Sequence, residues 1–241
     1  MARPRPQIPG MAAVAAGVTR GGARGQIGQE AYESIRTAIL NCAFPPGTAL
    51  SELAVSEELG VSKAPVRDAF RRLAGEGLLE VVPQRGTSVA LLSRSRITDA
   101  IFVREVIECR AAELASLAPL ADRKGLTQLL DRQVTASDQK DFLGHLVADE
   151  DMHHAILVLA GHRHAWGPLM LARTGMNRIR HIAIPELGGN RIAIDQHRQI
   201  VRAIVAGDGT GAREKMLEHI RLPLRFVDTI CERYPHYFTP D

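Results

Sequence analysis

Closely spaced turn residues divide the first part of the chain into segments that suit only small helices and strands, and this limits the fold more than any other feature. Phe44-Pro45-Pro46-Gly47 ends a helical pattern that begins at Gln29, and Gly60 closes a short helix predicted over 51–59. A third helix begins after Ser62, which we expect to cap it. The spacing therefore predicts three short helices in succession.

Two short runs with strand character follow these helices, at 78–82 and 87–91. The segment between them, Pro83-Gln84-Arg85-Gly86, is typical of a hairpin tip. Three short helices and a two-stranded hairpin are the order of elements in a winged helix-turn-helix. We predict this DNA-binding fold for residues 29–93, preceded by a disordered basic tail over residues 1–28.

The third predicted helix carries an apolar face and a separate basic stripe. Its apolar positions are Val66, Ala69, Phe70 and Leu73. Lys63, Arg67 and Arg71 share the stripe. A helix of this kind presents its first turns to base edges when it lies in a major groove, where arginine binds guanine through paired hydrogen bonds. A basic helix face that is merely solvated is the alternative.

The predicted DNA-contacting residues belong to this helix and to the hairpin tip, and are Lys63, Ala64, Arg67, Arg71, Arg72, Arg85 and Gly86. Arg67 is expected to read a base edge, whereas Arg71 and Arg72 are better placed for phosphates. Arg85 and Gly86 suit a close approach of the wing to the DNA backbone or minor groove. The partner is therefore predicted to be double-stranded DNA.

The rest of the chain has no convincing strand pattern. Helical segments are predicted over 97–118, 122–136, 139–160, 163–183, 191–206 and 210–232. Residues 96–241 are long enough to bury a core of their own as an antiparallel helical bundle. The predicted fold class is thus mainly α, with an N-terminal winged helix-turn-helix followed by an all-α antiparallel bundle.

Histidine is confined to this second part, where all nine lie between His145 and His236. Asp149 and His153 stand four residues apart, on one face of a helix. His197 and His219 lie in two later helices that a Gly207-Asp208-Gly209 break folds back on one another. One carboxylate and three imidazoles suit a first-row transition metal. Histidines that are simply exposed or packed in the core are the alternative reading of the spacing.

Composition bears on whether the protein associates with a membrane, on its cellular compartment and on the charge of its partner. The uncharged stretch over 6–19 is too short and too weakly apolar to span a bilayer, so no membrane association is expected. The three cysteines are far apart, without a CxxC pair, which favours the reducing cytoplasm. The net charge is only +3, so the local basic cluster, and not the overall charge, indicates nucleic acid.

Several separated segments resemble the winged-helix signature of the GntR family of regulators. They are PGTALSE over 46–52, LGVSKAPVRDAF over 59–70, LAGEGL over 73–78 and PQRGT over 83–87. The family usually has Arg at the position of Lys63 and often Thr at that of Ala64. The resemblance implies that Lys63, Arg67 and Gly86 contact the operator. It also implies a homodimer on a near-palindromic site, usually acting as a repressor.

Residues 98–222 resemble the FCD effector domain that follows many GntR winged helices, as in the FadR-type subfamily. The resemblance rests on the D-x3-H segment that begins at Asp149, on two final helices containing His197 and His219, and on an R-x-x-I-E segment over 104–108. It implies that Asp149, His153, His197 and His219 hold a divalent transition-metal ion. Zinc is favoured, with nickel, manganese and iron as alternatives.

Arg104 is the candidate for binding an effector beside that ion. A guanidinium offers a planar fork of donors that matches a carboxylate, and the metal would leave net positive charge. The expected effector is therefore a small organic acid or hydroxy acid. The alternative for Arg104 is an arginine on the helix surface that pairs with Glu108 at i+4.

The sequence leads to one principal hypothesis and two alternatives. The principal one is a transcriptional repressor whose operator affinity depends on a carboxylate bound at the metal. A purely structural metal without an effector is the first alternative. The second is a metal-dependent hydrolase with Glu150 or Asp151 as the general base. We predict that the protein is not an enzyme, because the chain has no HExxH motif, nucleophile elbow or phosphate loop.

Overall fold

The computed structural model describes residues 24–82, 84, 86–187 and 189–240, together with residues 10, 11 and 14. The chain divides into two compact units. The first contains Met1–Arg94 and Ile230–Asp241, and the second contains Ser95–Thr229. Within the described ranges, every helix is too short or too polar to cross a membrane.

The first unit has the predicted order of three helices followed by a hairpin. Its elements are α1 (Arg24–Leu40), β1 (Ala49–Leu50), α2 (Glu52–Leu59), α3 (Lys63–Gly75), β2 (Leu79–Val82) and β3 (Gly86–Val89). The mainly α fold with an N-terminal winged helix is thus confirmed. Sequence analysis did not identify β1, which pairs antiparallel with β3 and gives the strand order β1-β3-β2. Two residues are too few to show a strand pattern.

Gly60 and Ser62 lie at the helix ends where the sequence predicted them, but only Gly60 has the predicted conformation or contact. Gly60 ends α2 with φ 66°, a left-handed conformation that glycine adopts without strain. Ser62 occupies the N-cap position of α3, but its side chain makes no capping hydrogen bond. The cap predicted for Ser62 is therefore correct in position and wrong in its hydrogen bond.

The first unit is built around an apolar core. The four apolar positions predicted for α3 are all buried, and they pack with Tyr32, Ile35 and Ile39 of α1. The helix α1 begins at Arg24, five residues before the predicted start. Val14, in the segment predicted as a disordered tail, is buried, and its carbonyl accepts a hydrogen bond from Ser34 Oγ. Most of that predicted tail lies outside the described residues.

The second unit is helical, as predicted. Its helices are α4 (Arg94–Ala115), α5 (Leu120–Asp138), α6 (Phe142–Leu159), α7 (Trp166–Leu187), α8 (Gly189–Ala206), α9 (Gly209–Arg221) and the beginning of α10 (Leu224–Arg233), which continues into the first unit from Ile230. The helix α5 packs against α6 and α8, and α8 packs against α9. The predicted helix over 210–232 is divided before α10, because Pro223 has no amide hydrogen to continue it.

The end of the chain differs from the predicted domain limits. Residues 230–241, which sequence analysis assigned to the helical domain, belong to the first unit. Leu92 donates its amide hydrogen to the carbonyl of Tyr237, and Thr239 donates to the carbonyl of Leu92. A short 3-10 helix, Pro235–Tyr237, precedes this pairing, and another, Arg163–Ala165, precedes α7.

Candidate metal centre and nucleic-acid interface

The four residues predicted to bind a metal come together inside the second unit. Asp149 and His153 lie one turn apart on α6, His197 lies on α8 and His219 on α9. All four are buried, and one ligand atom from each lies within 4.8 Å of the others. The i, i+4 spacing on α6 and the break between α8 and α9 therefore bring the four side chains together, as predicted from the sequence.

Two glutamines fix the orientation of two of these histidines. His197 Nδ1 lies 2.6 Å from Gln133 Oε1, and His219 Nδ1 lies 3.3 Å from Gln196 Oε1. Because an amide oxygen only accepts, each Nδ1 carries the hydrogen and each Nε2 keeps its lone pair. Histidine ligands of metals are usually held by a second hydrogen bond of this kind.

The two Nε2 atoms of His197 and His219 lie 3.1 Å apart. Two lone pairs at this distance repel each other unless a proton or a cation lies between them. Burial lowers the pKa of both imidazoles well below their usual value, so a proton is disfavoured near neutral pH. The donor set thus fits a metal cation, with nitrogen and carboxylate ligands of the kind that zinc prefers.

Asp149 is held as a charged carboxylate by two arginines. Its Oδ2 accepts from Arg180 Nη1 at 2.7 Å and from Arg173 Nη2 at 3.0 Å. Burial alone raises the pKa of Asp149, but Arg180 and the other nearby positive groups outweigh burial and hold it well below the usual range. The Oδ1 atom lies 3.5 Å from His197 Nε2, inside the cluster.

A second buried carboxylate, Glu108, lies beside His153. Glu108 Oε2 is 2.5 Å from His153 Nδ1 and 3.3 Å from Arg173 Nη1. Burial raises the pKa of Glu108, but the Arg104 guanidinium and its neighbours hold it well below the usual range. Among the described residues, neither nitrogen of His153 has a well-aligned hydrogen bond, although Nδ1 lies against the Glu108 carboxylate. Glu108 therefore positions the His153 ring, whose other nitrogen stays available.

Arg104 pairs with Glu108, but not on the helix surface as the alternative reading held. Arg104 Nε lies 2.5 Å from Glu108 Oε1, and both side chains are only 2% exposed. Arg104 Nη2 is buried without a hydrogen-bond partner in the described part of the chain. Glu108 thus uses the Nε hydrogen of the guanidinium, and the Nη2 donor remains available.

Several residues of this site were missed or left without a role by sequence analysis. They are Glu108, Gln133, His145, Arg173, Arg180 and Gln196. His145 is fully buried one turn before Asp149 on α6, so the i, i+4 spacing that found His153 could have found it as well. Glutamines and arginines contributed by other helices give no local signal in the sequence.

Two further histidines of the second unit, His154 and His181, lie outside the four-residue cluster. The ring of His154 packs 5.1 Å from that of Trp166, so it points away from the neighbouring His153. His181 does not belong to the cluster, and burial followed by the charge of Arg180 lowers its pKa to about 4.

The two acids considered as general bases also make other contacts. Glu150 accepts a hydrogen bond from Asn177 Nδ2, and Asp151 forms a partly exposed ion pair with Arg132. Neither carboxylate belongs to the four-residue cluster.

The predicted DNA-contacting side chains of α3 lie on its surface. Lys63 and Ala64 form the exposed first turn, followed by exposed Arg67 and Arg71. Arg67 Nε lies 3.2 Å from Glu52 Oε2, although 59% of the arginine side chain stays exposed. Exposed ion pairs of this kind contribute little to stability, so Arg67 can exchange this partner for another anion at small cost.

The remaining predicted DNA contacts differ in their surroundings. Arg72 is held on α1, where its guanidinium stacks 3.6 Å from the centre of the Tyr32 ring and donates to Gln29 Oε1. Gly86 begins β3 with φ 98°, in the region that favours glycine, and a Cβ there would meet open space. Arg85 lies outside the described residues.

A winged helix with an exposed basic helix, combined with a helical unit around a buried polar cluster, defines a DNA-binding regulator with an effector domain. Two family models match the chain: "Bacterial regulatory proteins, gntR family" over residues 27–89 and "FCD domain" over residues 99–222. The chain belongs to the GntR family of bacterial transcriptional regulators and carries an FCD domain.

Relatives of the chain agree with this assignment. The HTH-type transcriptional repressor RspR of Escherichia coli (strain K12) is 30% identical over 216 residues, which cover 89% of this chain and 95% of RspR. A probable D-xylose utilization operon transcriptional repressor of Paenarthrobacter nicotinovorans is 26% identical over 204 residues, covering 82% of this chain and 87% of that protein. The family and these relatives are regulators, not enzymes.

Solved structures share the fold. E. coli McbR/YncC superimposes with a TM-score of 0.71 at 20% identity, covering 86% of this chain and 98% of McbR/YncC. A putative GntR regulator from Rhodococcus sp. RHA1 gives a TM-score of 0.71 at 22% identity, with coverage of 83% and 97%.

Proposed function

We propose that this regulator is a repressor whose affinity for its operator is controlled by a small carboxylate, bound at a divalent metal ion in the second unit. One observation carries the proposal: a buried carboxylate and three buried imidazoles offer ligand atoms within 4.8 Å of one another. Burying four such groups side by side is costly unless a cation compensates them. Asp149, His153, His197 and His219 are the proposed ligands.

Zinc is the proposed ion, with nickel, manganese and iron as alternatives that accept the same ligands. When bound, the ion would supply a positive centre that attracts a carboxylate oxygen. The chain's own contribution is orientation, since Gln133 and Gln196 hold the rings of His197 and His219. Arg104 would donate its unpartnered Nη2 hydrogens to the same small acid.

The first unit is proposed to bind a near-palindromic operator as part of a homodimer. Lys63, Ala64 and Arg67 would meet base edges, because they form the leading turns of α3. Arg71, Arg72 and Arg85 would contact phosphates, and Gly86 would let the wing approach the DNA backbone. Repression is proposed because RspR and the Paenarthrobacter relative are both named repressors. Such a protein would act in the cytoplasm, where bacterial DNA lies.

Control of operator affinity requires that the acid binds one conformation of the dimer more tightly than another. A differential affinity of a few kcal/mol, on the order of 10²–10⁴ in equilibrium constant, is enough to release most of the operator.

The test is thermal unfolding of the full chain with a panel of small carboxylates, both zinc-loaded and after chelation. We expect one class of acid to raise the midpoint of the zinc-loaded protein only, because a ligand that binds the folded state stabilises it by mass action. Arg104→Ala should abolish that shift. Arg110→Ala, which removes an exposed arginine paired with Glu113 on the same helix, should not.

Three results would contradict parts of this proposal. If chelation lowers the midpoint and no acid shifts either form, the metal is structural and has no effector. If the purified protein binds no divalent ion, the metal site itself is wrong. A shift that survives in Arg104→Ala would exclude Arg104 as a contact of the carboxylate.

A further inference from the structure

Positive charge exceeds negative charge among the groups that surround the cluster. Among the residues that the structure describes, three guanidiniums, those of Arg104, Arg173 and Arg180, form ion pairs with two carboxylates, those of Glu108 and Asp149. All five side chains are at least nine-tenths buried. One positive charge is therefore uncompensated by these contacts, and a divalent ion would raise the surplus to three. Buried charge is costly unless it is paired.

The same three arginines have donors that are not used. Arg104 Nη2, Arg173 Nε and Arg180 Nη2 are buried and have no hydrogen-bond partner among the residues that the structure describes. An unpartnered buried donor loses its hydration without replacement. These three atoms therefore indicate that an anion belongs beside them.

The unused donors belong to arginines that are held by two different carboxylates. Arg104 is bound to Glu108, whereas Arg180 is bound to Asp149. Arg173 bridges the two carboxylates, with Nη1 toward Glu108 and Nη2 toward Asp149. A single carboxylate forms its best contacts with one guanidinium, through two parallel hydrogen bonds. Donors from several guanidiniums are better matched by a ligand with two anionic ends.

We infer that the effector is a small dicarboxylate, and that Arg173 and Arg180 bind it together with Arg104. This inference rests on the proposed function, because it names the ligand class of the same site. One carboxylate lies beside the Arg104 and Glu108 pair, and the other lies beside Arg180 and Asp149. A monocarboxylate would leave one set of buried donors without a partner.

The experiment compares acids that differ only in one carboxylate. Isothermal titration of the zinc-loaded full chain uses three matched pairs: succinate and butyrate, 2-hydroxysuccinate and 2-hydroxybutanoate, and glutarate and pentanoate. We expect at least one dicarboxylate to bind about tenfold or more tightly than its partner, the ratio given by a single charge-assisted contact. Arg180→Gln should bring that ratio close to one, with Arg180→Lys intermediate because it keeps the charge and loses the fork.

The matched control is Arg198→Gln, which removes an exposed arginine paired with Asp195 and should keep the ratio. The zinc content of each variant is measured as well, and a content equal to that of the unmodified protein shows that the metal site is intact. Equal affinity for both members of every pair in the unmodified protein would overturn the dicarboxylate inference and leave the proposed function standing. Failure of all six acids to bind would instead overturn the proposed carboxylate effector, and the inference with it.

Discussion

The two units of this protein differ in how much charge they bury. The interior of the first unit is apolar, and the charges of α3 lie on its surface. The second unit has buried apolar side chains as well, but it also places Arg104, Glu108, Asp149 and Arg173 in its interior. Both units are therefore stabilised by removing apolar surface from water, whereas the second depends in addition on ion pairs that must stay complete.

This difference matches what each unit is proposed to recognise. Operator DNA is large and strongly charged, and exposed arginines can adapt to it and exchange their ion-pair partners at little cost. A small acid is recognised best by donors that are already fixed and shielded from water. The contrast predicts that replacing one residue will have different consequences in the two units.

The largest expected effect comes from breaking the buried ion pairs of the second unit. Asp149→Asn keeps the shape of the side chain but leaves Arg180 without its carboxylate and Arg173 with only Glu108. We expect the free energy of unfolding to fall by about 3–5 kcal/mol, because an uncompensated charge remains buried. Denaturant unfolding measures this change.

The matched control for this variant is Asp151→Asn, two residues along α6. It breaks only the partly exposed pair with Arg132 and should cost about 0.5 kcal/mol or less. A similar loss in the two variants would show that the centre of the second unit does not depend on its ion pairs.

The corresponding change in the first unit is Leu73→Ala, because Leu73 is fully buried on α3. The cavity should cost about 2–5 kcal/mol and weaken operator binding, while the zinc content of the second unit stays unchanged. Leu53→Ala, at a position 45% exposed, is the control and should cost well under about 1 kcal/mol. Loss of zinc from Leu73→Ala would show that the two units do not fold independently.

Helical periodicity predicted much of both units. It placed the buried face of α3 and the alignment of Asp149 with His153, because residues three or four apart share a helix face. Turn residues also located the end of α2 and the start of α9. These are local properties, and the sequence expresses them directly.

Contacts between distant helices were not predictable in the same way. Arg180 and Asp149 are separated by 31 residues, and His197 and Gln133 by 64. The position of an arginine or a glutamine in the sequence does not show that its side chain is buried, because both residue types are usually exposed. The two-residue strand β1 was missed for a related reason, because it is defined by its pairing with β3.

A smaller effect is expected at the surface of α3. Arg67→Ala should weaken operator binding by about 1–3 kcal/mol and reduce discrimination between operator sequences. Arg71→Ala should weaken binding to all sequences alike and lower the slope of log K against log salt by about one. Titration of labelled operator and non-operator DNA at several salt concentrations measures both. Equal losses on operator and non-operator DNA for Arg67→Ala would assign that residue to phosphate contact.

The smallest expected change in the free energy of unfolding comes from replacing an N-cap residue, which can be compared between α9 in the second unit and α3 in the first. Asp208, the N-cap of α9, accepts a hydrogen bond from the amide of Gly211 at 2.8 Å. Asp208→Ala removes that bond and should cost about 1 kcal/mol. Ser62→Ala, at the N-cap of α3, should cost only a few tenths of a kcal/mol, because the serine side chain makes no capping hydrogen bond. If denaturant unfolding shows an equal loss for Ser62→Ala, its hydroxyl caps α3 in solution, as the sequence predicted.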